Sequence, residues 1–205
     1  MKNIKNIKIQ ELKKIHDSDC KSIIKLIYQE NPRSILASLN KNIVKQYLNK
    51  VTSSKSVLLF VLKLKKKIIG YAVIAKKTES LISIISMYKI NILFLSIKNL
   101  RIFTLINLFL IFFKIDTFFL KNKTKKIIKQ NYNLNLLAIN KQYQSKGYGS
   151  YFLKKILKKV QSKFITVETI DDKAKKFYET KHEFKLLGVK LRIFKNQKIL
   201  YKKII

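Results

Sequence analysis

Two of the four glycines in this 205-residue chain, Gly147 and Gly149, are separated by a single residue. They lie between an apolar segment typical of a strand, residues 134–139, and a segment that predicts an amphipathic helix, residues 147–160. Glycine is needed where a backbone turns sharply or approaches a ligand closely. Successive N–H groups at such a turn, beside the positive end of a helix, suit a phosphate or pyrophosphate. A strand-to-helix turn without a ligand is an equally good interpretation of these two glycines alone.

The residues around the glycines narrow the alternatives. The apolar strand is followed by a short loop and then by Gln144-Ser145-Lys146-Gly147-Tyr148-Gly149, which opens the helix. This string lacks the Gly-Lys-Ser/Thr ending of a nucleotide P-loop and the three-glycine spacing of a dinucleotide fingerprint. After a predicted strand at residues 164–168, a second string at residues 171–179 reads Asp-Asp-Lys-Ala-Lys-Lys-Phe-Tyr-Glu, and Asp171 or Asp172 can cap its helix.

In this order and spacing, the two strings resemble the acetyl-CoA signature and the Asn-x-x-Ala-x-x-Phe-Tyr-Glu helix of the GNAT family of N-acetyltransferases. The resemblance is strong over residues 134–185, whereas residues 1–50 and 56–76 match only the order of the family's elements. Asp171 stands where the family usually has Asn, and the turn before Phe184 lacks the usual Gly and is one residue longer.

The resemblance implies an α/β fold with a mixed, mostly antiparallel sheet and helices on both faces. The sheet is splayed between its fourth and fifth strands, where the pantetheine arm of acetyl-CoA inserts. No metal is implied, and no His/Cys/Asp/Glu cluster suggests one. The implied cofactor-binding residues are those of the strand backbone, the pyrophosphate loop and the second helix: Leu137, Ala138, Ile139, Gln144, Ser145, Lys146, Gly147, Tyr148, Gly149, Ser150 and Asp171.

The implied chemistry is direct attack of an acceptor amine on the thioester carbonyl, without an acyl-enzyme. Cys20, the only cysteine, is therefore expected to be a small core residue rather than a nucleophile. Tyr178 stands where the family keeps the acid that protonates the departing CoA thiolate, and packing on an amphipathic helix is its alternative role. No general base is apparent, so Glu30, Glu168 and a water molecule remain alternatives.

The formal net charge of +34 invites a nucleic-acid interpretation, but the residue types argue against it. Only Arg33, Arg101 and Arg192 are arginines among 45 basic residues, and the lysines are spread along the chain. Nucleic-acid-binding proteins favour arginine for bidentate contacts to phosphates and bases. We therefore predict no specific nucleic-acid partner, although the charge attracts anions such as CoA or an anionic membrane surface.

Residues 15–50 and 80–125 are the least family-like parts of the chain, and we expect them to select the acceptor. Two apolar runs, 90–97 and 102–113, are each too short to span a bilayer. We expect a hydrophobic helical insertion between the third and fourth strands of a single domain, residues 1–205. A peripheral membrane contact through residues 90–113 is the alternative, and residues 121–130 are predicted to be a polar linker.

The remaining pattern supplies the other elements. A strand is predicted at residues 4–13, a helix capped by Asp17 or Ser18 at its start, and a helix at residues 40–50. Residues 56–64 and 67–76 predict a hairpin, with Gly70 marking a bulge or a close backbone approach. Toward the end of the chain we predict strands at residues 184–187, 189–194 and 198–201.

Together these features predict a cytoplasmic acetyl-CoA-dependent N-acetyltransferase. A lone cysteine and an N-terminus without a secretory signal favour the cytoplasm, with a membrane-peripheral location as the alternative. The expected acceptor is a small amine or an amino sugar of a surface polysaccharide. The rival interpretation is a non-catalytic basic binding protein of the same fold that contacts nucleic acid or a membrane surface.

Overall fold

The computed structural model describes residues 6–32, 34–76, 106, 109–110, 113, 115–118, 120–191 and 197–204. The strands are β1 (Ile7–Glu11), β2 (Val57–Leu64), β3 (Lys67–Lys76), β4 (Tyr132–Ile139), β5 (Phe164–Thr169), β6 (Lys185–Lys190) and β7 (Gln197–Lys203). The helices are α1 (Asp17–Glu30), α2 (Ile35–Ser38), α3 (Lys41–Ser53), α4 (Asn122–Gln130), α5 (Tyr148–Leu157) and α6 (Asp172–His182).

The strands belong to one seven-stranded sheet in the order β1-β2-β3-β4-β5-β7-β6. The pairs β1/β2, β2/β3, β5/β7 and β6/β7 are antiparallel, whereas β4 and β5 are parallel. The predicted mixed, mostly antiparallel α/β fold is therefore confirmed. The expected helical insertion falls largely on residues 77–105, which lie outside the described residues.

The chain divides into two compact units, and β4 contributes residues to both of them. The first unit comprises Met1–Ala75 and Asn135–Val160, and the second comprises Lys76–Leu134 and Gln161–Ile205. The glycine-containing loop belongs to the first unit, whereas the second sequence string, with Asp171 and Tyr178, belongs to the second.

In the first unit, amphipathic helices bury one apolar stripe each. The buried residues of α1, α3 and α5 recur three and four positions apart, the spacing of one helix face: Cys20, Ile23, Ile24, Leu26, Ile27, Ile43, Val44, Tyr47, Leu48, Val51, Phe152, Leu153, Ile156 and Leu157. The side chain of Asn40 accepts a hydrogen bond from the N–H of Ile43 and so caps α3. The helices predicted in these three parts of the chain are confirmed.

The β2–β3 hairpin carries the Gly70 feature that the sequence singled out. Its register shifts between Leu62 and Lys63, opposite the start of β3, and Lys65 adopts a φ of 56° at the turn. A Cβ built on Gly70 would lie 2.4 Å from Ile139 Cδ1 and 2.8 Å from the Ala138 carbonyl oxygen. Glycine is therefore required because β4 approaches β3 too closely for a side chain.

In the second unit, α4 corrects the prediction of a polar linker at residues 121–130. Asn122–Gln130 is helical, and Thr124 and Ile128 are buried. Ile128 packs with Leu120 and with Ile199 of β7. A Cβ on Gly188 would lie 3.0 Å from Leu120 Cδ2, so the glycine makes room beside this cluster.

Some predicted boundaries are also corrected. Helix α1 begins at Asp17 with His16 in the capping position, and no side chain caps it. The short helix α2, capped by Ser34, was not predicted. The described parts of the strands expected at residues 184–187 and 189–194 form one strand, β6, with a register shift between Leu186 and Gly188, and residues 192–194 lie outside the described residues. Within the described residues, no helix combines the length and apolarity needed to cross a bilayer.

Candidate cofactor-binding loop

The loop after β4 is shaped by local hydrogen bonds and two left-handed residues. Asn140 donates its N–H to the Ile69 carbonyl of β3 at 2.8 Å, and its side chain accepts from the N–H of Gln142 at 3.0 Å. This cap starts a single helical turn at Lys141–Tyr143. Ser145 then adopts a φ of 60° and Gly147 a φ of 86°. Helix α5 begins immediately after the second of these two residues, at Tyr148.

Gly147 occupies the capping position of α5 and supplies no side chain to satisfy the first amides of the helix. Its carbonyl accepts the first helical bond, from the N–H of Tyr151 at 3.0 Å. Among the described residues, the N–H groups of residues 145–150 have no acceptor. Amide groups at the positive end of a helix are donors that can bind phosphate groups, and the anion site at this loop stays a prediction.

Two aromatic rings and one lysine frame the loop. The rings of Tyr143 and Tyr148 meet edge to face with centroids 5.9 Å apart. The Lys146 ammonium lies 5.9 Å from the Tyr143 ring and donates to the Gln142 carbonyl at 2.8 Å. Lys146 is exposed, so its charge remains at the loop surface, where it can turn toward an anion.

Gln144 holds the loop against the end of β4. Its Nε2 donates to the Ile139 carbonyl at 2.7 Å and to Glu30 Oε2 at 3.0 Å. Glu30 Oε1 accepts from the Lys141 N–H at 2.8 Å. The sequence offered Glu30 only as a candidate base. The sequence did not predict the contact between Glu30 and the loop. The one sequence feature that could have drawn attention to Glu30 is that it is an acidic residue at the end of a helix.

The backbone of β4 beyond Leu134 lies outside the pairing with β5, which covers Tyr132–Leu134 only. Backbone groups of successive residues point to opposite sides of a strand. Because Asn140 bonds to β3, Ala138 also directs its N–H and carbonyl toward β3, while Leu137 and Ile139 direct theirs away from it. The edge that faces away from β3 therefore presents the backbone groups of Leu137 and the N–H of Ile139, because the Ile139 carbonyl already accepts from Gln144.

In the second unit, Asp171 caps α6 as predicted, and its Oδ1 accepts from the Lys173 N–H at 2.7 Å. Tyr178 is buried, and its ring contacts those of Phe177 and Phe184 with centroids 5.2 and 5.3 Å apart. Burial raises the pKa of the Tyr178 hydroxyl above its ordinary value. The Tyr178 hydroxyl therefore stays protonated to higher pH than that of a free tyrosine, and its role as a proton donor stays a prediction.

The other candidate groups occupy structural positions. Cys20 is buried in α1, and burial raises the pKa of its thiol, as expected for a core residue rather than a nucleophile. Glu168 forms an ion pair with Lys190 at 2.6 Å, in which both side chains are largely buried. A base at Glu168 would have to break this pair, which makes it a poor candidate.

Comparison with solved structures identifies the fold. A GNAT-family acetyltransferase from Streptococcus pneumoniae has a TM-score of 0.56 at 14% identity, over 97% of this chain and 99% of that one. The ribosomal-protein-S18-alanine N-acetyltransferase from Escherichia coli gives 0.56 at 11% identity, over 97% and 94%. A GNAT-family acetyltransferase from Elizabethkingia anophelis with acetyl-CoA bound gives 0.52 at 14% identity, over 97% and 99%.

No protein-family model and no curated protein sequence matches the chain. The similarity is therefore one of structure and covers nearly the whole chain. This protein has the GNAT acetyltransferase fold, as the two sequence strings implied.

Proposed function

We propose that this protein transfers an acetyl group from acetyl-CoA to the amine of a small molecule. The observation that carries the proposal is the row of N–H groups over residues 145–150, which have no close acceptor among the described residues and lie between β4 and the first turn of α5 in a chain with this fold. Those groups and the helix dipole of α5 bind the pyrophosphate, and Lys146 adds a positive charge. The backbone groups of Leu137 and the N–H of Ile139, which face away from β3, pair with the pantetheine arm.

The proposed reaction needs little from the protein beyond positioning. The acceptor amine attacks the thioester carbonyl, and the tetrahedral intermediate collapses as its C–S bond breaks. Tyr178 donates its phenolic proton to the departing sulfur. A water molecule removes the proton of the attacking amine, because Glu168 and Glu30 are held in other contacts. Asp171 contacts the cofactor through the start of α6.

The proposed acceptor is a small amine or an amino sugar of a surface polysaccharide, with residues 15–50 and 80–125 as the parts of the chain that select it. The proposal is tested by following the thermal unfolding of the protein with increasing acetyl-CoA. A ligand present at 100 times its dissociation constant stabilises the folded state by about 2.7 kcal/mol. We expect a concentration-dependent rise in Tm with acetyl-CoA.

Two controls separate the outcomes of this test. Gly149→Val adds a branched side chain where the backbone meets the pyrophosphate, so its Tm should respond weakly to acetyl-CoA. Random duplex DNA tests the rival class of basic binding protein. A Tm that rises with DNA but not with acetyl-CoA would contradict the proposed function and favour that rival.

A further inference from the structure

Glu30 joins the end of α1 to the candidate cofactor loop with both of its carboxylate oxygens. Oε1 accepts from the Lys141 N–H at 2.8 Å, and Oε2 accepts from Gln144 Nε2 at 3.0 Å. The partners lie 111 and 114 residues along the chain from Glu30, so only tertiary folding brings them together. A carboxylate that accepts from two loop groups restricts both their distance and their orientation.

Gln144 extends this contact to β4. A glutamine amide has two N–H donors, and Nε2 of Gln144 donates to Glu30 Oε2 and to the Ile139 carbonyl. The segment between Ile139 and Gln144 is therefore closed into a ring by the glutamine and fixed from outside by the carboxylate. Ser145, the next residue, starts the row of N–H groups that have no acceptor among the described residues.

The residue after Glu30 anchors this end of α1 to the sheet. Asn31 donates from Nδ2 to the Tyr71 hydroxyl at 2.9 Å, and Tyr71 is fully buried in β3. Burial raises the pKa of Tyr71, the Asn31 hydrogen bond opposes that rise, and the Glu30 charge adds to it. Glu30 therefore lies on a fixed support rather than on a free part of the surface.

The Glu30 carboxylate is negative, although it lies beside a loop that is proposed to bind a negative pyrophosphate. A carboxylate beside a pyrophosphate site repels the ligand, and this chain has only 11 acidic residues against 45 basic ones. A negative charge at this position therefore weakens anion binding unless the geometry it imposes compensates for the repulsion.

We infer that Glu30 is a positioning residue for acetyl-CoA: it holds Lys141 and Gln144 so that the N–H groups of residues 145–150 are arrayed for the pyrophosphate. This inference rests on the proposed function of the loop. Preorganising a loop raises affinity because the ordering cost is met before the ligand binds. Glu30 acts through the loop, so its loss changes cofactor binding rather than the chemical step.

The test is the acetyl-CoA dissociation constant of Glu30→Gln. The variant keeps the shape and an acceptor for Lys141, but its own amide N–H groups oppose those of Gln144. We expect the dissociation constant and the KM for acetyl-CoA to rise about tenfold, equivalent to about 1.4 kcal/mol, with kcat retained. A tighter or unchanged complex would overturn the inference, since tighter binding identifies Glu30 as a repelling charge only.

Asp17→Asn is the matched control. It removes the same charge from the other end of α1, about 20 Å away for a helix of this length, where Asp17 pairs with Lys45 on the surface. Its acetyl-CoA affinity should equal that of the parent. An equal loss in both variants would overturn the positioning role, because it would show that net charge rather than the loop contact matters.

A second measurement separates this inference from the proposed function. Amide hydrogen exchange of the ligand-free protein reports the Lys141 N–H directly. In Glu30→Ala this amide loses its acceptor, so we expect faster exchange at Lys141 with unchanged exchange in β3. Unchanged exchange at Lys141 would overturn the contact itself. If the parent fails to bind acetyl-CoA while Lys141 responds, the proposed function fails and the loop contact stands.

Discussion

At the scale of single residues, the two glycines of the loop have different roles. Gly147 has a φ of 86° with open space around it, whereas Gly149 lies in the first turn of α5. An L-residue is strained in the left-handed region, by about 1–2 kcal/mol, and alanine is favoured over glycine inside a helix. The left-handed backbone conformation, which favours glycine, thus occurs at Gly147 and not at Gly149.

This difference predicts opposite effects on stability. We expect Gly147→Ala to lower the free energy of unfolding by about 1 kcal/mol. Gly149→Ala should leave it unchanged or raise it by about 0.5 kcal/mol. Both should weaken acetyl-CoA binding, the first by misdirecting the N–H groups and the second by placing a methyl group against the phosphate. Urea denaturation and calorimetric titration measure the two quantities. Equal losses of stability in Gly147→Ala and Gly149→Ala would contradict the different roles of the two glycines.

Tyr178 is the residue whose role the sequence left between chemistry and packing. Tyr178→Phe keeps the ring that contacts Phe177 and Phe184. It removes the hydroxyl, which is the group of this side chain that can donate a proton. We expect kcat to fall by about 10²-fold, at the lower end of general acid catalysis, with acetyl-CoA affinity and Tm nearly unchanged.

The CoA thiolate is a fair leaving group near neutral pH because a free thiol has a pKa of about 8.5. Protonation by Tyr178 therefore assists the departure of the thiolate but is not indispensable. The fall in kcat should be visible only under conditions in which the chemical step limits turnover. An unchanged kcat under those conditions would leave Tyr178 as a packing residue of α6.

At the scale of elements, the close approach of β3 and β4 is the contact that places the loop. Gly70→Ala puts a methyl group 2.8 Å from the Ala138 carbonyl oxygen, and backbone cannot move aside as a flexible side chain can. We expect a loss of about 1–3 kcal/mol in the free energy of unfolding, together with weaker acetyl-CoA binding because the end of β4 shifts. Stability close to that of the parent would show that β4 tolerates a wider spacing.

The local sequence pattern was sufficient to predict most helices and strands. It failed for an element that is stabilised mainly by tertiary contacts. The stripes of α1, α3 and α5 were visible because their apolar residues recur at helical spacing. Helix α4 was missed because Lys dominates it and its buried face rests mainly on Thr124 and Ile128. That narrow face is stable only when Leu120 and Ile199 cover it.

The candidate site was predictable to the same extent. The loop residues are contiguous in sequence, so the glycine spacing and the following helix located them. The Glu30 contact could not be predicted, because no local pattern links residues more than 100 positions apart. For Asp171, the structure confirms the capping role that the sequence predicted at the start of α6. Its contact with the cofactor remains a prediction.

At the scale of the whole molecule, the charge of +34 makes non-specific anion binding unavoidable. We expect random duplex DNA to bind weakly at low salt, with log K falling linearly against log salt, because the lysines replace condensed counterions. Acetyl-CoA binding should fall less steeply, since directed N–H groups carry much of it. Fluorescence anisotropy across a salt series measures both slopes. Equal slopes would identify the loop as one more part of the lysine surface.

The measurement that tests the central claim most directly is the release of CoA thiol from acetyl-CoA in the presence of a panel of amines and amino sugars. The account predicts release that requires both the protein and one class of amine, with the acetyl group recovered on that amine. It also predicts a much slower release with Gly149→Val. Folded protein that binds acetyl-CoA but transfers to no amine, or release equally fast in the variant, would contradict it.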